Sequence, residues 1–313
     1  MIDTVSPSAG TLLKELDTTG KQIGNTRLYP LTSFWPKVGV KIYAKLEWEQ
    51  LGQSVKARAA YYIIRHAVLT GKLGQGKRLL DATSGNTGIA YASIASRLGI
   101  PLTIVMPENA SPERKTMLKA LGAELIYTSP LESTDGSQRK ARKLSEARPD
   151  LYYYADQYNN ENNWKAHYQG TANEIYKQTE GTITHFIAGL GTTGTFTGTS
   201  RRLRELIPSV TTVALQPETA MHGLEGWKDL ETAKVPGIYD ASIHDEVRHI
   251  ASEDAYDFVK KAARQEGLLL SPSSAANLAG AVQYAASLEQ GVIVTVFPDD
   301  FSKYQEVYKV LFP

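Results

Sequence analysis

Short apolar, β-rich runs alternate with longer amphipathic stretches along most of this chain, and that alternation is what most restricts its fold. A strand, a helix and a second strand in succession leave the two strands parallel, because the helix carries the chain back across the sheet. Candidate strands are Lys41–Leu46, Arg78–Asp81, Leu102–Val105, Glu124–Thr128, Tyr152–Ala155, Ile183–Ala188, Thr212–Leu215 and Val292–Val296. Helical stretches lie between them, among them Ala57–Thr70, Gly88–Leu98, Ser111–Leu121, Trp164–Gln178 and Ser252–Glu266. Ser111-Pro-Glu-Arg reads as a helix start, with serine at the cap and proline at the first helical position. The expected class is α/β, with mostly parallel sheets flanked by helices. The chain's 313 residues are enough for two such domains.

Composition excludes several functions. A net charge of +1 predicts no nucleic-acid affinity and no attraction to an anionic membrane. No apolar run approaches bilayer length, and the polar start Met1-Ile-Asp-Thr-Val-Ser lacks the basic and apolar regions of a secretory signal, so a cytoplasmic location is expected. The absence of cysteine rules out disulfides, thiolate metal sites and a cysteine nucleophile, and no metal site is expected.

Four local patterns carry chemistry. Lys56 stands in Gly52-Gln-Ser-Val-Lys-Ala-Arg58, just before a helical stretch; by itself such a lysine is a solvated surface residue. Thr83-Ser-Gly-Asn-Thr-Gly88 leaves an apolar run and enters a helical one, a simple turn when taken alone. Gly189-Leu-Gly-Thr-Thr-Gly-Thr195 joins the strand-like Ile183–Ala188 to a helical stretch, Phe196–Leu206. Its glycines let backbone N–H groups at the helix start close on a phosphate, and its threonines add hydroxyl donors. Ser271-Pro-Ser-Ser-Ala275 offers a neutral hydroxyl. An amine, a phosphate cradle and a partner for a ring nitrogen are what pyridoxal phosphate needs. A hydroxyl against the pyridine makes that cofactor a mild electron sink, which suits β-elimination and β-replacement. Gly189 to Gly194 also matches the GxGxxG of a nicotinamide dehydrogenase, with Glu218 as the ribose acid, but that reading leaves Lys56, the Thr83 loop and Ser273 unexplained.

The ordered set resembles the cysteine synthase family of fold type II pyridoxal-phosphate enzymes, whose architecture is tryptophan synthase β-like. The matching pieces are Ile23-Gly-Asn-Thr26, Ser54-Val-Lys56, Thr83 to Gly88, Met106-Pro-Glu-Asn109, Gln157-Tyr-Asn159, Gly191 to Thr195 and Ser273-Ser274, spanning about residue 20 to residue 304. The resemblance implies two facing α/β domains, placed here at 41–160, and at 1–40 with 161–313. It makes Lys56 the cofactor's Schiff-base lysine and the base for the α-proton, and Asn86 the partner of the cofactor's 3′-oxygen. Thr83, Ser84, Gly85, Thr87 and Gln157 would take the substrate carboxylate, Gly191, Thr192, Thr193, Gly194 and Thr195 the phosphate, and Ser273 the pyridine nitrogen.

The implied reaction is a β-replacement that makes L-cysteine from O-acetylserine or O-phosphoserine and a sulfide donor, through an aminoacrylate. The sulfur could come as free sulfide, as thiosulfate or from a carrier protein. A serine or threonine dehydratase and a cystathionine β-synthase-like lyase are the alternatives, and a homodimer is implied by the family alone. The stretch Glu218 to Lys228 is similar to the corresponding loop of relatives that use O-phosphoserine, with Lys228 or His222 as the phosphate reader. Three positions depart from the family's usual residues: Gln53 and Ala275 stand where glycine is usual, and Ala57 where aspartate is usual.

Overall fold

The computed structural model describes residues 9–35, 38–74 and 76–313. In chain order it contains α1 (Ala9–Gly20), β1 (Leu28–Pro30), β2 (Val40–Leu46), α2 (Lys56–Leu69), β3 (Arg78–Ala82), α3 (Asn86–Leu98), β4 (Leu102–Pro107), α4 (Pro112–Ala120), β5 (Glu124–Thr128), α5 (Ser133–Ala147) and β6 (Tyr152–Tyr154). There follow α6 (Glu161–Ala166), α7 (Ala172–Gln178), β7 (His185–Gly189), α8 (Gly194–Leu206), β8 (Thr211–Pro217), β9 (Glu246–Ile250), α9 (Ser252–Gln265), α10 (Pro272–Ala285), β10 (Gly291–Phe297) and α11 (Gln305–Leu311).

The chain forms two compact units, one of 9–23 with 50–162 and one of 24–49 with 163–313. These limits correct the expected 41–160 division at two places. Residues 9–20 go with the first unit because Leu12 and Leu16 bury in one cluster with Ala57, Ile63 and Ile64, and Leu16 O accepts from the Tyr61 hydroxyl at 3.2 Å. β2 goes with the second because it runs parallel to β10 from Val40 beside Gly291 to Leu46 beside Phe297.

In the first unit a parallel sheet has the order β5-β4-β3-β6. Alternation along its strands separates two faces. Leu79, Leu102, Ile104 and Met106 pack with residues of α2 and α3, while Leu80, Ala82 and Val105 pack with Ala141 of α5. The second unit has the order β1-β2-β10-β7-β8-β9, parallel except for the antiparallel β1. Its α10 is nearly all small residues and lies close to the sheet: a Cβ on Gly280 would come 2.5 Å from Leu215 Cδ1.

Two expectations about helices need correction. Ser111 precedes α4 with Pro112 at the first turn, as expected, but its side chain makes no cap hydrogen bond. The stretch Trp164–Gln178 is helical but not one α-helix. A π-helical turn at His167–Thr171 separates α6 from α7, and a hydrogen bond between His167 Nδ1 and Thr171 Oγ1 (2.9 Å) spans it.

Candidate active site

In an open α/β sheet, ligands bind beyond the carboxyl ends of the strands at the point where the strand order reverses. The first unit's sheet reverses between β3 and β6. β3 runs directly into the 83–88 loop, where Gly85 N donates to Thr83 Oγ1 at 3.2 Å and Gly88 N to Gly85 O at 3.1 Å. Beyond β6, Asp156 takes a left-handed φ of 44° and Gln157 is buried. The Gln157 side chain closes the gap between the two strand ends. Its Oε1 accepts from Thr87 Oγ1 at 2.7 Å, and its Nε2 reaches Ala82 O at 3.5 Å. The structure thus gathers Thr83, Thr87 and Gln157, while Ser84, Gly85 and Asn86 are half-buried at the start of α3. No side chain caps this start, so the helix's positive end faces the loop and favours an anion there.

Lys56 is the first residue of α2 and is half-buried. The turn before it uses positive φ twice, at Gly52 (83°) and at Gln53 (48°). Gly52 also lies tight on α3, since a Cβ there would be 3.2 Å from Ala90 Cα. Ala57, next to the lysine, is wholly buried among Ala60 and Ala90. This position serves apolar packing between α2 and α3 rather than a carboxylate contact.

The second unit's sheet reverses between β7 and β10. Asn277 of α10, which the sequence reading missed, spans the two: its Oδ1 accepts from Gly189 N at 2.8 Å and its Nδ2 donates to Val296 O at 2.8 Å. Ser271 caps α10 and Pro272 opens its first turn; nothing local points to Asn277. The 190–193 loop then enters α8, with Thr193 as N-cap at φ 70° and ψ −13°.

Close neighbours explain the glycines of this loop. Added Cβ atoms would lie 2.1 Å from Trp227 at Gly189, 2.1 Å from Gly226 O at Gly191 and 2.0 Å from Asn163 Oδ1 at Gly194. The threonines divide by partner. Thr192 Oγ1 accepts from Asn163 Nδ2 at 3.1 Å, Thr195 Oγ1 hydrogen-bonds His167 Nε2 at 3.3 Å, and Thr193 Oγ1 is buried with no hydrogen-bond partner among the described residues. A buried orphan hydroxyl at an uncapped helix start fits a bound phosphate.

At the start of α10, Ser271 Oγ accepts from Ser274 N at 3.2 Å, and Ser274 Oγ donates to Asp299 O at 2.6 Å. Ser273 is 5 % exposed and its hydroxyl shares a 3.2 Å contact with Ser271 Oγ, which leaves it capacity for a ring nitrogen. Ala275, the third departure, is buried in the core beside Ala276 and Leu278.

The 218–228 segment lies along the phosphate-type loop. Lys228 N donates to Leu190 O at 2.7 Å, Trp227 covers Gly189, and Lys228 is half-buried. Asp229 is occupied by its own turn, accepting from Glu231 N at 3.0 Å and Thr232 Oγ1 at 2.7 Å. His222 is the weaker cation of the two candidates. Its Nδ1 accepts from Leu224 N at 3.1 Å, which requires a lone pair there, and burial holds its pKa below the usual histidine range. Among the described residues no cluster suited to a metal ion occurs and no helix is long and apolar enough to cross a membrane.

Comparison with known proteins gives a family model, pyridoxal-phosphate dependent enzyme, that matches residues 20–299. A cysteine synthase of Aquifex aeolicus is 44% identical over 298 residues, covering 93% of this chain and 91% of the relative. Cysteine synthase B of Salmonella typhimurium is 40% identical over 291 residues, covering 92% and 94%. The crystal structure of an O-acetylserine dependent cystathionine beta-synthase from Helicobacter pylori superposes with a TM-score of 0.86 at 32% identity, covering 92% of this chain and 96% of the other.

Proposed function

Because the chain belongs to the pyridoxal-phosphate dependent enzyme family, we propose that it makes L-cysteine by replacing the β-substituent of an activated serine with sulfur. The observation that carries this reading is the 83–88 loop closed by Gln157 at the strand-order reversal of the first unit. Bound pyridoxal phosphate supplies an aldehyde for the substrate's amine and an electron sink for its Cα and Cβ bonds.

The chain's own groups do the rest. Thr83, Ser84, Gly85 and Thr87, with Gln157, bind the α-carboxylate at the positive end of α3 and so fix the orientation of Cα. The Lys56 amine holds the cofactor between turnovers and takes the proton from Cα. Asn86 bears on the cofactor's 3′-oxygen. Gly191 to Thr195 would hold its phosphate, and the neutral Ser273 hydroxyl at the ring nitrogen would leave it largely unprotonated, a mild electron sink that suits β-chemistry. Across the cycle a proton leaves Cα, the Cβ–O bond breaks with its electrons going to the departing acetate or phosphate, a Cβ–S bond forms to hydrosulfide, and a proton returns to Cα.

Lys228, bonded through its backbone beside the phosphate-type loop, is the group we assign to reading a phosphate on O-phosphoserine in preference to an acetyl ester. Replacing it with alanine should lower kcat/KM for O-phosphoserine and spare O-acetylserine; equal losses would remove the assignment. A cystathionine-forming reaction with homocysteine is the second reading, supported by the name of the Helicobacter pylori neighbour. We take the working form to be a homodimer using free sulfide or a carried sulfur.

The visible spectrum of the cofactor-loaded protein tests the core proposal. Addition of one of the two serine esters should shift the cofactor band to longer wavelength. Sulfide should restore it with release of cysteine, and Lys56→Ala should abolish both changes. Pyruvate released from plain serine without sulfide would point instead to a dehydratase.

A further inference from the structure

The C-terminal part of β3 buries a carboxyl that none of the roles above uses. Asp81 is 1 % exposed, two residues before the loop that holds Thr83. Strand alternation turns it to the same side of the sheet as Leu79, which packs with residues of α2 and α3. Its Oδ1 accepts from Ala82 N at 2.8 Å. Its Oδ2 and the wholly buried Tyr91 hydroxyl of α3 are each without a hydrogen bond of normal geometry among the described residues. They nevertheless interact, and the Tyr91 hydroxyl favours the ionised carboxyl.

A protonated Oδ2 can donate to the Tyr91 oxygen and satisfy both atoms. An ionised Asp81 instead needs the Tyr91 hydroxyl to donate. Among the described residues, the groups that act most strongly on this carboxyl include no cation. Tyr91 comes from α3, Tyr153 and Tyr154 from β6, and Asp156 and Tyr158 from the segment after it. The nearby Arg142 of α5 is engaged with Asp156 at 3.4 Å. Burial therefore dominates and raises the Asp81 pKa from 3.8 to about 7, against the lowering by the Ala82 and Gln157 N–H groups.

We propose that Asp81 is a proton acceptor coupled to the substrate loop, so that binding of an amino acid's carboxylate at residues 83–87 draws a proton onto the Asp81 carboxyl. The inference rests on the reading of that loop as the carboxylate site. The physical cause is like-charge repulsion inside a poorly screened interior. Asp81 and Thr83 lie about 7 Å apart along the strand. A carboxylate held by the loop thus stands on the order of 10 Å from Asp81, where two unit charges change a binding constant by about tenfold at an effective dielectric near 20. By linkage, amino-acid affinity is highest with Asp81 protonated and falls as pH rises through neutrality.

The test uses the cofactor-loaded protein and L-serine as probe, with L-serinamide, which lacks the carboxylate, as control. Spectroscopic Kd values are measured between about pH 6 and about pH 8 for the wild type and for Asp81→Asn. The infrared band of the protonated carboxyl, taken as the wild-type minus variant difference, reports Asp81 directly with and without serine. The wild-type affinity for L-serine should weaken up to about tenfold more than that of Asp81→Asn over this range. Serinamide should show no such difference, and serine should shift the loss of the infrared band to higher pH. Equal pH dependence in the two proteins, or a band that serine leaves unmoved, overturns the coupling. Ser84→Ala and Thr87→Ala separate the two ideas: if both bind serine as tightly as the wild type, the loop reading itself fails, whereas weakened binding in them alongside a pH-flat wild-type to Asp81→Asn ratio refutes the Asp81 inference alone.

Discussion

Thr193 combines strain with an unsatisfied group, and the two can be separated by substitution. Its φ of 70° and ψ of −13° place a β-branched residue in left-handed backbone, at about 1–2 kcal/mol for any L residue. Its buried Oγ1 has no hydrogen-bond partner among the described residues, and a buried hydroxyl left unpaired costs about 1–3 kcal/mol. Thr193→Gly relieves both and returns about 0.5–1 kcal/mol through the greater freedom of glycine in the unfolded chain. The cofactor-free variant should therefore be more stable than the wild type by about 1–4 kcal/mol. In the loaded protein the missing hydroxyl counts against the variant. A hydrogen bond to a charged phosphate contributes about 1.5–3 kcal/mol, so the variant should bind pyridoxal phosphate about tenfold to a hundredfold more weakly.

All four tryptophans, Trp35, Trp48, Trp164 and Trp227, belong to the second unit, so tryptophan fluorescence during urea unfolding follows that unit alone. Cofactor affinity is read from its absorbance band. Thr193→Ala keeps the strain and removes the hydroxyl, and should lose cofactor affinity without the full gain in stability. A cofactor-free Thr193→Gly that unfolds at lower urea than the wild type would refute the strain argument, and unchanged cofactor affinity would refute the assignment of the hydroxyl.

Three further expectations follow from single contacts. Gln53 is exposed at a left-handed φ of 48°, so Gln53→Gly should raise the thermal stability of the first unit by about 1 kcal/mol, read from a melt followed by circular dichroism. Lys45 is wholly buried and donates to Glu174 Oε2 and to Thr26 O, both at 2.6 Å. Removing one partner of such a pair strands the other, and Lys45→Ala should destabilise the second unit by about 3–5 kcal/mol in urea unfolding followed by tryptophan fluorescence. Asp81 has a folded-state pKa raised from 3.8 to about 7, so the folded protein holds a proton there that the unfolded chain has released. Wild-type stability is thus lost as pH rises from about 4 to about 7, by up to about 4 kcal/mol at about 1.4 kcal/mol per pH unit. Asp81→Asn should gain on the wild type across that window and hold the difference above it; parallel stability curves would contradict the raised pKa.

The sequence made legible those parts of the fold that depend on local backbone demands. A left-handed turn requires Gly52, close neighbours exclude a Cβ at Gly189, Gly191 and Gly194, and apolar alternation marked eight of the ten strands among the described residues. The two missed strands lacked that signal: β1 has only three residues and β9 reads Glu-Val-Arg-His-Ile at a sheet edge. The polar α5 buries little that is apolar besides Ala141 and was passed over for the same reason. Asn277, the support of the second site, acts through a hydrogen bond to Gly189 across 88 residues, and no local pattern encodes a partner that distant. The domain limits failed for a related reason. β2 is decided by pairing with β10 at the far end of the chain, not by its neighbours in sequence.

Strand order explains why the motifs were nonetheless readable. Each sheet reverses once between strands whose carboxyl ends carry a motif: β3 leads into the Thr83 loop and β6 into Gln157, while β7 leads into Gly191 and β10 into Asp299, to which Ser274 is bonded. Reversal leaves a crevice there because the two connecting helices depart to opposite sides. A residue that must face a ligand in such a crevice has to fall within a few positions of a strand's end, where the chain leaves the sheet with free backbone donors. Most of the proposed site residues therefore sit at strand-to-helix junctions, the places where glycine, serine, threonine and asparagine also stand out most clearly in a sequence. Lys56 obeys the same logic without a strand before it: the two left-handed residues Gly52 and Gln53 turn the chain directly into α2 and set the amine on its first turn.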